Sequence, residues 1–127
     1  MTLAEGIDRL QRETAGCRAL VFGDLDTRTV LRSAAAPDLR QEDHDALLAE
    51  AATCLGAPGA DLLARATGTE PGGDPAPERA LRFAAGEIRL FRRTGPGAAE
   101  VVCARLAGAS DLDAFDRALS DLLGADG

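Results

Sequence analysis

Residues 79–106, RALRFAAGEIRLFRRTGPGAAEVVCARL, decide the fold. Ala80-Leu81-Arg82-Phe83-Ala84 and Glu87-Ile88-Arg89-Leu90-Phe91 are short runs mixing apolar and polar residues. Ala85-Gly86 separates them, and its glycine supplies the positive φ that a tight turn needs. Two such runs two residues apart read as a hairpin. A third run, Glu100-Val101-Val102-Cys103-Ala104-Arg105-Leu106, follows Thr94-Gly95-Pro96-Gly97. Its β-branched pair and near-continuous apolar character suit a strand covered on both faces. The stretch is therefore expected to be a three-stranded meander that ends at Gly108.

Toward the N-terminus, Pro37-Asp38 breaks the pattern, and residues 40–55 contain no glycine or proline and are rich in Ala and Leu. That composition predicts a long helix with Leu47, Leu48, Ala51 and Leu55 on one stripe. Before it, residues 17–22 and 27–33 read as two strands joined by a turn at Gly23-Asp24-Leu25-Asp26. Thr2 followed by Glu5 fits a capping box, and Leu3, Ile7 and Leu10 recur at helical spacing, so a short amphipathic helix opens the chain and ends near Ala15-Gly16. Helix 40–55 is interrupted at Gly56-Ala57-Pro58-Gly59, with a turn or two resuming over 60–66. Residues 68–77, with three prolines and three glycines and no large apolar residue, read as a flexible surface loop. Beyond the meander, Ser110 is placed to cap a final helix whose face is Leu112, Phe115, Leu119, Leu122 and Leu123.

The 127 residues suffice for one core and not two, so residues 1–127 are expected to form a single domain. Trp and Tyr are absent, and Phe supplies the only aromatics, which leaves Leu, Val and Ala to pack that core. All 14 basic residues are Arg and the net charge is −7, a balance that argues against general nucleic-acid binding. Three widely spaced cysteines, with no Cys-x-x-Cys pair, indicate neither a disulfide framework nor a zinc site, and the reading is a reduced, cytoplasmic protein. No apolar run approaches the roughly 20 residues of a membrane span, so membrane insertion is not expected.

The chemistry-bearing side chains give no reaction. His44 lies between Asp43 and Asp45, but adjacent helical residues point in different directions and the chain has no second histidine. The simpler reading is a solvated helix start. Cys54 and Cys103 lack an indicated base and read as small core residues. Asp24 and Asp26 at the first turn suit hydrogen bonding to backbone N–H groups better than an ion. Arg82, Arg89, Arg92, Arg93 and Arg105 concentrate positive charge on the meander, whereas Asp111, Asp113, Asp116 and Asp121 make the final helix acidic. This asymmetry is the best partner-binding hint in the chain, and its bland alternative is a set of solvated positions balanced by Glu87 and Glu100. No catalytic residue, metal site or cofactor is expected.

The predicted order is helix, two strands, helix, three strands, helix, an α+β arrangement. In this order the chain resembles the Roadblock/LC7 family. The resemblance is carried by Ala19-Leu20-Val21-Phe22 leading to Asp24 and Asp26, Leu47-Leu48-Ala49-Glu50-Ala51, Gly86-Glu87-Ile88-Arg89-Leu90-Phe91, and Val101-Val102-Cys103-Ala104. It implies a five-stranded antiparallel sheet with the long second helix on one face and the terminal helices on the other. It also implies a homodimer and a non-enzymatic role as regulator or scaffold of a small Ras-like GTPase in bacteria. The alternatives are a small acidic secretion chaperone holding an extended client segment and a small-molecule sensor with an aliphatic pocket.

A dimer also follows from the residues themselves. The strand Ala80-Leu81-Arg82-Phe83 has one sequence-adjacent partner, which leaves its other edge for a second copy. Leu47, Leu48, Ala51 and Leu55, with alanines around them, offer more apolar surface than a short sheet needs to cover. The expected interface therefore combines that strand and that helix.

Overall fold

The computed structural model describes residues 2–55, 78–95, 97–108 and 110–126. The expected helical turns at 60–66 and the expected loop at 68–77 lie outside the described residues. Among these residues eight elements follow in order: α1 (Leu3–Glu13), β1 (Cys17–Asp24), β2 (Thr29–Ala35), α2 (Gln41–Leu55), β3 (Arg79–Ala84), β4 (Glu87–Arg93), β5 (Glu100–Ala107) and α3 (Leu112–Asp126). The five strands form one antiparallel sheet in the order β2-β1-β5-β4-β3.

Side chains alternate across the sheet with period two, and this sorts the core into two layers. Leu20, Ile88, Leu90, Val102, Ala104 and Leu106 meet Ile7 of α1 and Phe115 and Leu119 of α3. Val21, Phe91, Val101 and Cys103 point the other way, onto Leu47, Leu48, Ala51, Ala52 and Leu55 of α2. The near-continuous apolar run in β5 has the meaning expected of it, since Val101 to Ala104 are all fully buried and alternate between the two layers.

The capping box at Thr2 and Glu5 is present, with each residue's side chain accepting from the other's backbone N–H at 3.2 Å. At the other end of the chain, the expected cap at Ser110 is corrected. Asp111 Oδ1 accepts from the Ala114 N–H at 3.0 Å, and a carboxylate is favoured there by the helix dipole. The second hairpin turns at Ala85-Gly86 with φ of +49° and +74°, the pair of positive values that a two-residue turn of mirror-image type requires.

The first hairpin departs from expectation. β1 runs through Gly23 to Asp24, and the turn falls two residues later, at 25–28. Gly23 is a strand residue, paired with Val30 and Val101, and the approach of α2 is what requires a glycine there. A Cβ there would sit 2.9 Å from Leu48 Cδ1 and 3.0 Å from the Thr29 carbonyl oxygen. The turn itself is held by Asp24, whose Oδ1 accepts from the N–H groups of Asp26 at 2.8 Å and Thr27 at 3.1 Å.

Two stability outcomes follow. Phe91→Ala empties a fully buried site between β4 and α2, and is expected to lower unfolding free energy by about 3–5 kcal/mol in urea titration. Ala85→Asn relieves a left-handed backbone at a residue with a Cβ, and is expected to raise it by up to about 1 kcal/mol.

Candidate interaction surface

The two edges of the sheet differ. β3 pairs with β4 in unbroken register from Arg79 opposite Arg92 to Ala84 opposite Glu87, and no described strand lies on its other side. It contains no proline and no bulge. Ala80 turns toward α2, whereas Leu81 and Phe83 turn toward the α3 side and are 46% and 70% exposed. β2, at the opposite edge, is irregular. Its register steps from Phe22 opposite Arg32 to Gly23 opposite Val30, which leaves Leu31 as an extra residue. Arg32 is also tied to Asp8 of α1. A bulge and a paired charge are devices that make an edge a poor template for strand addition, and β3 has no bulge.

The arginines of the meander are largely engaged within the chain. On the α2 side, Arg82, Arg89 and Arg105 stand opposite one another across β3, β4 and β5. Three like charges in a row repel, and two carboxylates interleave them. Glu50 of α2 receives Arg82 at 2.8 Å and Arg89 at 2.5 Å, and Glu87 receives Arg105 at 2.6 Å and Arg89 at 3.2 Å. On the α3 side, Asp116 receives Arg79 at 2.6 Å and Arg92 at 3.4 Å. Arg93 donates to the carbonyl oxygens of Leu55 and Ala98, each at 2.5 Å. The charge asymmetry of the sequence is thus mostly intramolecular pairing. Glu87 was legible as a partner, but Glu50 was not, since its role depends on how α2 lies across the sheet.

The helical residues of the expected interface are buried within the chain's own core. Leu47, Leu48, Ala51 and Leu55 are at most 2% exposed, all against the chain's own sheet. The surplus apolar surface that suggested helix-to-helix packing is consumed by Val21, Phe91, Val101 and Cys103. The outward face of α2 consists instead of Gln41, Glu42, Asp45, Ala46, Ala49 and Thr53. His44, expected at a solvated helix start, is 7% exposed, because it lies one turn before Leu47 and Leu48 on the sheet-facing side. Ala80, Leu81, Arg82 and Phe83 do lie together at the β3 edge.

Among the described residues no group of three or more His, Cys, Asp or Glu side chains is placed to hold a metal ion. Burial pushes the Cys17 thiol up to about 11 and raises Cys103 further, so both are protonated at neutral pH and poor nucleophiles. Cys54 is raised too, by partial burial and by the Glu50 carboxylate. No described helix is long and apolar enough to cross a membrane.

These features define a Roadblock/LC7-like fold: a five-stranded antiparallel sheet in the order α-β-β-α-β-β-β-α, with α2 on one face and α1 and α3 on the other. The solved Roadblock/LC7 domain from Streptomyces avermitilis superposes with a TM-score of 0.75 at 14% identity, covering 98% of this chain and 94% of that one. MglB in a tetrameric arrangement gives 0.73 at 16% identity, and the gliding protein MglB from Thermus thermophilus gives 0.71 at 16%, each covering 98% of this chain and 84% of the other. No protein-family model and no curated protein matches the sequence.

Glu87 is the acid whose titration this surface exposes. Its hydrogen bond from Arg105, reinforced by Arg89, holds its carboxyl below the ordinary value of 4.5. A depressed carboxylate stabilises the fold above its unfolded pKa, and that contribution is lost as pH falls through the folded value. Glu87→Gln is therefore expected to be less stable than the parent at pH 7. The gap should close on acidification below the ordinary carboxylate range, as read by urea midpoints across that window.

Proposed function

We propose that this chain is a non-catalytic, single-domain, cytoplasmic protein that acts as a homodimer, regulating or scaffolding a small Ras-like GTPase in a bacterium. The observation that carries the dimer is the β3 edge. It is regular and unbulged, has no described strand on its other side, and displays Leu81 and Phe83 to solvent, while the opposite edge is interrupted. Exposed apolar side chains on an unpaired strand are stabilised by a second strand that covers them and pairs the free N–H and C=O groups. The tetrameric arrangement of MglB, a protein of similar fold, agrees with self-association as a property of such chains. The GTPase comes from the family resemblance in the sequence, with the protein supplying contacts and no reacting group.

Sedimentation at micromolar concentration is expected to give a dimer burying at least about 1,000 Å². Leu81→Arg is expected to give a folded monomer, because Leu81 is half-exposed, whereas Leu48→Arg is expected to unfold the chain, because Leu48 is buried. A monomeric parent protein would overturn the dimer. For the partner, the purified dimer titrated with the small Ras-like GTPases of its source cell, loaded with GDP or a GTP analogue, is expected to bind one of them in a nucleotide-dependent way. Binding to none of them would refute the GTPase reading.

A further inference from the structure

Arg79 and Arg92 stand directly opposite each other on β3 and β4. The Arg93 N–H donates to the Glu78 carbonyl at 2.8 Å, so residues 78 and 93 form a hydrogen-bonded pair and residues 79 and 92 the non-hydrogen-bonded pair beside it. Pairs of the second kind bring their side chains closest, with Cα atoms about 4.5 Å apart, and like charges so placed repel. On the α3 side the two arginines share one carboxylate. Asp116 Oδ2 receives Arg79 Nη1 at 2.6 Å, and Asp116 Oδ1 receives Arg92 Nη1 at 3.4 Å. Arg92 Nη1 also donates to Ser120 Oγ at 2.5 Å.

Arg79, Arg92 and Ser120 line a cavity of about 560 Å³ between this end of the β3–β4 hairpin and the second half of α3. That volume lies within the range of small-molecule sites. Arg93 and Thr94 extend the wall on the sheet side, Leu123 gives it an apolar patch on the helix side, and Glu78 is the one acid among the described residues that line it. Three guanidinium groups thus stand against the carboxylates of Glu78 and Asp116, a positive balance in a chain whose net charge is −7. A concave site of that sign concentrates anions. The negative C-terminal pole of α3 acts within its last turn, beyond Ser120.

The donors still open on the two arginines select the anion. A guanidinium carries five N–H donors in a rigid planar fork. The described bonds of Arg79 and Arg92 all run through Nη1, and the Nε–Nη2 edge of each has no partner among the described residues. Fastening α3 to the sheet therefore uses one nitrogen of each side chain and orients the rest. A planar carboxylate, with two oxygens, is satisfied by one such edge. A tetrahedral phosphate group has oxygens enough to meet both edges at once, with the Thr94 hydroxyl on the same wall as a further donor.

We propose that this cavity binds a phosphate group, free or carried by a small molecule whose remaining atoms rest on Leu123, with Arg79 and Arg92 as its bidentate donors. The site is built within one chain and requires neither self-association nor a GTPase partner.

The test is an NMR titration of the isotopically labelled protein, at constant ionic strength, with inorganic phosphate, phenyl phosphate and benzoate. Both phosphates are expected to bind saturably and to shift the side-chain Nε–H signals of Arg79 and Arg92. Benzoate, which keeps the ring and replaces phosphate by carboxylate, is expected to bind at least about tenfold more weakly than phenyl phosphate. Tighter binding of phenyl phosphate than of inorganic phosphate identifies a phosphate ester as the ligand and equal affinity identifies free phosphate; both support the site. Arg79→Gln and Arg92→Gln are each expected to weaken phenyl phosphate binding about tenfold or more, whereas Arg12→Gln on α1 leaves it unchanged. The Arg79 side chain is 57% exposed, so Arg79→Gln keeps the fold and reads the site where Arg92→Gln loosens α3. Benzoate binding as tight as that of phenyl phosphate, no saturation by either phosphate, or undiminished binding by folded Arg79→Gln would overturn the proposal.

Discussion

The structure depends on β5 being buried on both sides. It lies between β1 and β4, and its residues alternate between two cores that never meet: Val101 and Cys103 under α2, Val102, Ala104 and Leu106 under α1 and α3. A strand in that position cannot carry a charge at its centre without leaving it unpaired in a dry layer. Its one charged interior residue, Arg105, sits near the end, where Glu87 meets it. With two-sided cover fixed at the middle of the sheet, α2 has one face to occupy and the terminal helices the other. The edges then become the places where backbone groups face solvent.

Much of this was legible because it is periodic. The meander announces itself through Ala85-Gly86 and the apolar run at Val101, and the first helix through the Thr2 and Glu5 capping box. What escaped depends on contacts between elements distant in sequence. Gly23 reads locally as a turn glycine, yet it lies within β1, where the approach of Leu48 leaves no room for a Cβ. His44 reads as polar and flanked by acids, yet its position one turn before Leu47 carries it under the helix. Ser110 and Asp111 are both good caps, and sequence alone does not choose between them.

The two elements of the candidate interaction surface differ in how far sequence predicts their exposure. That β3 has β4 as its one described neighbour follows from connectivity, since the two form a hairpin. The distribution of apolar surface on α2 does not follow, because the amount a sheet can absorb is set by its twist and by where the helix crosses it. Leu47, Leu48, Ala51 and Leu55 are all absorbed. Glu50 escapes to the flank and there joins helix and edge strand through Arg82 and Arg89. Holding the edge strand through a helical carboxylate couples the exposed strand to the element packed behind it.

The extra residue at Leu31 has a consequence for how far strand addition can go. A chain with two equally receptive edges can recruit copies at both, and nothing in such a scheme stops growth short of a fibre. Here the sheet is polar in the sense that a rope with one frayed end is polar. The step from Phe22 opposite Arg32 to Gly23 opposite Val30 breaks the ladder on the β2 side. That break makes the β2 edge the poorer template for another strand.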